Sequence, residues 1–121
     1  MSGECACDGS VTFCPHPTAR EIRMSVLSVL RLPVCQGAGE ALERGFAELE
    51  IFAHSRRSGG FRWGRLLRPH EGGPYAVVAE WKSAEAYRGW LDNPARAEVG
   101  ARLEPLLEAE VAAGELWEVV A

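Results

Sequence analysis

The 121-residue chain is long enough for one hydrophobic core and too short for two. Apolar residues make up 47% and charged residues 25%, which excludes a disordered chain. The formal charge is −4 and no basic run exceeds Arg56-Arg57, which excludes a phosphate-backbone (nucleic acid) partner. No apolar run reaches the roughly 20 residues of a membrane helix.

Met1 to Pro17 has neither a basic start nor an apolar stretch, so it does not read as a secretory signal, and a cytoplasmic location is expected. Residues 1–23 read as a flexible, Cys-containing leader and residues 24–121 as one domain. Of the four cysteines, Cys5, Cys7 and Cys14 crowd into the leader, and Cys35 stands alone. Such crowding is unlike a disulfide framework, so free thiols are expected. Cys5, Cys7, Cys14 and His16 are ligand types that suit tetrahedral zinc, but their spacing lacks the paired C-x₂-C pattern. No metal is assigned, and the leader is read as a flexible or partner-docking tail, with zinc binding as the alternative.

From Ser25 the pattern changes. Ser25 to Leu32 is apolar and β-branched, with Pro33 behind it, and predicts a first strand. Its alternating sets, Val26/Ser28/Leu30/Leu32 and Leu27/Val29/Arg31, both carry apolar residues. From Gly37 and Gly39 to about His54 the spacing of Ala38, Ala41, Leu42, Gly45, Phe46, Leu49, Phe52 and Ala53 predicts one amphipathic helix. Ser58-Gly59-Gly60 stops it. Phe61 to Arg68 alternates as a strand with Phe61, Trp63, Arg65 and Leu67 on one face. Turn residues fill Pro69 to Pro74, and Tyr75 to Trp81 predicts the next strand.

Ser83 is an N-cap for a short helix with Ala86, Tyr87, Trp90 and Leu91 on one face. Asn93-Pro94 starts another, carrying Val99, Leu103, Leu106 and Leu107, which Pro105 should kink or restart and Gly114 should end. Glu115 to Val120 predicts a last strand. The order β-α-β-β-α-β, with the second helix in two pieces, predicts an α+β, ferredoxin-like fold: a four-stranded antiparallel sheet with helices on one face. Helices on one face leave the other bare, yet Leu27, Val29, Trp117 and Val119 make both faces apolar. A second sheet from another copy would cover that surface, so a homodimer is expected.

The stretch Ala79-Glu80-Trp81-Lys82-Ser83-Ala84-Glu85-Ala86-Tyr87-Arg88-Gly89-Trp90-Leu91 resembles the most recognisable segment of antibiotic biosynthesis monooxygenase (ABM) domains. Val29 to Val34 leading to Gly37 and Phe46 is similar to that family's first strand and helix, and Phe61 to Leu67 to its second strand. The resemblance covers roughly residues 25–120. It implies a dimeric α/β barrel with a pocket between each protomer's sheet and helices, and a putting of O₂ onto phenolic polyketides without metal or flavin in some members. Others degrade haem, using an Asn, a Trp and a His. Aligned on the Trp-Leu pair and on the step from the first strand to its glycine, that Trp matches Trp90, but the Asn and His positions hold Leu30 and Gly100, so the resemblance points away from haem degradation.

A cofactor-independent oxygenase must turn an aromatic substrate into an electron-rich anion that can reduce O₂. It needs a base, a donor for the oxyanion and a dry cavity. Trp90, His54 and Arg65 are the catalytic candidates, with Trp63, Tyr75, Tyr87 and Phe46 as pocket candidates. Each has a plainer role open to it: Trp90 as a core aromatic, Arg65 paired with Glu80 or Glu118, His54 as a charge at a helix C-terminus, Tyr75 as packing. The expected activity is monooxygenation of an aromatic, polyketide-like small molecule with O₂ and no required cofactor, flavin and haem remaining open. The alternative is a non-redox dimeric domain, cyclase- or isomerase-like or ligand-binding.

Overall fold

The computed structural model describes residues 25–121 of the protein, so the leader with Cys5, Cys7, Cys14 and His16 lies outside the described residues. The elements in chain order are β1 (Val26–Leu32), α1 (Gly39–Glu48), α2 (Ile51–Arg57), β2 (Phe61–Leu67), β3 (Tyr75–Trp81), α3 (Ala84–Leu91), α4 (Pro94–Leu103) and β4 (Glu115–Glu118), with a 3₁₀ turn at Glu104–Leu106. The sheet order is β2-β3-β1-β4 and every neighbouring pair is antiparallel. This is the ferredoxin-like α+β arrangement that the pattern predicts.

Strand register sorts the side chains. Ser28 lies opposite Ala79, Leu30 opposite Val77 and Leu32 opposite Tyr75, and the two-residue period puts these on one face. The helices pack there. Leu42, Ile51, Val99 and Leu103 join Leu32 and Tyr75 in one buried cluster, and Trp90 joins Val26, Ala79 and Trp81 in another. The opposite, outer face carries Leu27, Val29 and Val78 with no helix of the described residues over it, and Trp117 there is 58% exposed.

Three local readings need correction. The single helix expected up to His54 is two, because Glu50 takes a left-handed conformation with φ 52°. At 100° per residue a continuous helix would point Ile51 directly away from Leu42. The break rephases the chain, so Leu42, Ile51 and Ser55 are all buried. In β2, Phe61 pairs with Trp81 and Trp63 with Glu80, so Arg62 is an extra, bulged residue. Phe61, Gly64 and Leu66 therefore face the helices, while Trp63, Arg65 and Leu67 face outward. The strict alternation of Phe61 with Trp63 and Arg65 does not hold. Third, α4 ends at Leu103 rather than running on to Gly114. Pro105 cannot bond back to the Ala101 carbonyl, and the chain instead docks on the end of β1, with Cys35 N–H donating to Leu106 O (2.8 Å) and Glu108 N–H to Pro33 O (2.8 Å).

Candidate functional site

Between the sheet and the helices lies a cavity of about 580 Å³. Ser28, Leu30, Val77 and Ala79 form its floor, and Phe46, Phe52, Tyr87 and Trp90 supply aromatic walls from three helices. Residues 110–114, the irregular strap before β4, close one side. Phe52 takes its place only because β2 has a glycine opposite: a Cβ at Gly64 would come within 2.6 Å of the Phe52 ring.

Local sequence sets each wall. The Ser83 hydroxyl accepts from Ala86 N–H (3.1 Å) and fixes the start of α3. Tyr87 and Trp90, three residues apart, then share its inner face. Asn93 Oδ1 accepts from Ala95 N–H (2.8 Å) with Pro94 at the first helical position, which starts α4. Val99 and Leu103 point inward, and Arg96, three residues before Val99, lies on the same stripe and lines the cavity.

Few polar groups border this space. Ser28 Oγ accepts from the buried Trp81 Nε1 (3.1 Å) and donates to Ala79 O (3.4 Å). Ser55 Oγ donates to Ile51 O (3.0 Å). Both hydroxyls thus satisfy neighbours within the fold. Burial pushes the Tyr87 phenol above its ordinary range, while the nearby Arg96 charge pulls the other way. Tyr87 is therefore a neutral proton donor at neutral pH. Glu110 is the carboxylate on the described lining.

Of the residues singled out from sequence, the fold brings Trp90, Tyr87 and Phe46 to the cavity. The other four are not on its lining. His54 Nδ1 lies 2.9 Å from Arg57 Nη2 at the exposed end of α2. The β2 bulge turns Trp63 and Arg65 to the outer face. There Trp63 Nε1 donates to Glu80 Oε1 (3.0 Å), and Arg65 donates to Gly64 O (2.8 Å) and rests over the Trp63 ring. Arg65 forms no ion pair with Glu80 or Glu118.

Tyr75 is buried in the core, and its hydroxyl donates to Glu43 Oε2 at 2.5 Å. Arg68 donates to both oxygens of the same carboxylate at 2.7 Å. These two donors, Arg68 first, hold the Glu43 carboxyl down at about 2, and the bond to Glu43 together with burial raises the Tyr75 phenol. The cluster ties α1 to the β2–β3 hairpin.

Sequence reasoning passed over Arg96. Its signal was available: an arginine inside the Val99/Leu103 apolar stripe, at helical spacing.

A haem iron needs an axial ligand, most often imidazole or thiolate. The cavity-facing residues of β1 are Ser28, Leu30 and Leu32, and α4 offers Arg96, Ala97, Val99, Gly100 and Leu103. Shifting the alignment of Leu30 and Gly100 by a residue or two brings in neither Asn nor His. The described lining holds no His and no Cys, so this donor set does not fit a His-ligated haem. Among the described residues no cluster of His, Cys, Asp and Glu could hold a metal ion, and no helix is long and apolar enough to cross a membrane.

The family model for antibiotic biosynthesis monooxygenase matches residues 25–110. The chain is 40% identical over 97 residues to the mycobilin-producing haem oxygenase of Mycobacterium tuberculosis, covering 73% of this chain and 90% of that protein. Among solved structures it is similar to MhuD, the haem-degrader of the same organism with two haems bound (35% identity, TM-score 0.65, 79% of this chain and 96% of that one). It is also similar to SnoaB, a cofactor-independent oxygenase from Streptomyces nogalater (27% identity, TM-score 0.58, 76% and 87%). Sequence match and fold agree: the chain belongs to the antibiotic biosynthesis monooxygenase family.

Proposed function

We propose that the protein is a cofactor-independent monooxygenase that oxidises a phenolic, polycyclic aromatic substrate with O₂ in the cavity between sheet and helices. The observation that carries this reading is the cavity itself: about 580 Å³, walled by Phe46, Phe52, Tyr87 and Trp90, and without an imidazole or thiolate on its described lining. A flat aromatic ring system fits such walls by stacking and edge contacts.

For an anthrone, loss of a ring CH₂ proton gives an electron-rich enolate. The enolate passes one electron to O₂, the two radicals combine to a peroxide, and loss of water leaves a carbonyl. The balance is CH₂ + O₂ → C=O + H₂O. Trp90 and Phe46 hold the rings, and the neutral Tyr87 hydroxyl donates to the enolate oxygen, lowering the cost of forming it. Glu110 stands at the lining as proton acceptor. Apolar walls exclude the water that would solvate and quench the anion. Purified protein with a hydroxylated anthrone should yield quinone in air and none under argon. Equal product in both gases sinks the oxygenase reading.

The working unit is a homodimer in which the outer sheet faces of two copies pack together, covering Val29, Val78 and Trp117. Haem degradation is the second reading, favoured by the 40% identity to a haem oxygenase. Haemin titration separates the two. The cavity's donor set leads us to expect no stoichiometric shift of the haemin Soret band, and a saturable one-to-one shift with bilin formation would reverse the assignment.

A further inference from the structure

We propose that Gly100 sets the width of the mouth through which flat aromatic ligands reach the cavity, a gap between α4 and the strap before β4. This rests on the reading that the cavity is the substrate site. A second hollow, of about 570 Å³, lies between the Ala97/Gly100/Glu104 side of α4 and residues 107–111. Ala97, Gly100, Leu107, Glu110 and Val111 line both hollows. The second one opens to solvent, since Ala97, Gly100, Ala101, Glu104 and residues 108–110 are exposed. The first ends on Ser28 and Ala79, which are buried. A path from water to the cavity floor therefore runs past Gly100.

Neither backbone nor packing requires a glycine at this place. Gly100 sits inside α4 without the positive φ that a side chain resists. A Cβ there would meet no packed neighbour within 4 Å among the described residues. By contrast, a Cβ on Gly45 would come within 3.0 Å of Leu103, and one on Gly64 within 2.6 Å of Phe52. A glycine weakens a helix interior relative to alanine, and here no close contact offsets that loss. What the missing side chain leaves is clear space where two hollows adjoin. Gly89 of α3 is equally unhindered but borders neither hollow, which makes it a control.

The opposite jaw is held only at its ends. Glu108 N–H donates to Pro33 O (2.8 Å) and β4 pairs with β1. Between these anchors, residues 109–113 make no backbone–backbone hydrogen bond among the described residues. Such a segment opens locally at little cost. The proposed dimer packs outer sheet faces together, which leaves the α4 side of each protomer free.

Stopped-flow fluorescence under argon tests the mouth without turnover, on the full chain with naphthalene-methanol and the longer anthracene-methanol as neutral probes. Gly100→Leu should lower the association and dissociation rates of anthracene-methanol together, by about tenfold, with affinity nearly unchanged. A narrowed mouth slows passage both ways. Naphthalene-methanol should be slowed less, and Gly89→Leu should leave every rate at its wild-type value. Equal association rates for Gly100→Leu and wild type overturn the proposal. So does a loss of affinity at an unchanged association rate, which would put Gly100 beside the bound ligand instead of at the mouth. Should Gly100→Leu fail to fold, Val111→Trp, which narrows the gap from the strap, must show the same paired slowing. If the wild type binds neither probe, the cavity reading falls and the mouth with it. Gly100-dependent entry in a protein that consumes no O₂ would sink the oxygenase reading alone; O₂ uptake with entry indifferent to Gly100 would sink the mouth alone.

Discussion

Glu43 accepts from Arg68 and Tyr75 at once, and the result is a carboxyl that titrates near 2 in the fold instead of at its ordinary 4.5. A depressed folded-state value stabilises the fold above the unfolded value, and that stabilisation is lost as pH falls through the folded one. Wild-type Tm should therefore drop between pH 4.5 and 2 more steeply than that of Glu43→Gln; parallel Tm curves for the two proteins would contradict the account. At this scale the sequence was partly readable. Trp90 and Tyr87 share a helical face, and Phe46 sits on an apolar stripe, so periodicity alone led to three cavity residues. Arg96 was hidden because an arginine on an apolar stripe looks like a pattern error until the cavity beneath it is seen. Trp63 and Arg65 misled because one bulged residue, Arg62, exchanges the faces of a strand, and nothing in the residue types around it marks the bulge.

Element boundaries follow the same logic. Ser83, Asn93-Pro94 and Pro105 are local signals with local causes, and the helices start and stop where they say. The α1–α2 break has no such signal: Glu50 is a good helix former, and its left-handed turn is imposed by the gain from burying Ile51. Holding a residue with a Cβ in that conformation costs roughly 1–2 kcal/mol, against about 0.5–1 kcal/mol for the extra freedom a glycine loses. Glu50→Gly should accordingly raise stability in denaturant unfolding by about 0.5–1 kcal/mol. A loss of that size would mean that the Glu50 side chain, not the turn, is what matters there.

The whole molecule is organised by a sheet with two apolar faces. One is filled by helices and encloses the cavity; the other exposes Trp117 and Leu67 to solvent in the isolated protomer. Both faces could be read from β1, where Leu27/Val29 alternate with Val26/Leu30, and that pattern supports the proposed dimer without help from any relative. Sedimentation should give twice the chain mass for the wild type. Val29→Arg, which puts a charge at the centre of the outer face, should give single chains with unchanged far-UV circular dichroism. A wild type that sediments as single chains at micromolar concentration would remove the dimer from the account.

The central claim is that oxygen chemistry occurs inside the helix-covered cavity. Its most direct measurement is O₂ uptake by flavin- and metal-free protein with a hydroxylated anthrone, for the wild type and for Leu30→Trp, which fills the cavity floor. The account predicts one O₂ consumed per quinone formed by the wild type and at least a tenfold slower rate in a Leu30→Trp protein of native circular dichroism. Uptake no faster than the protein-free control, or equal rates for the two proteins, would contradict it.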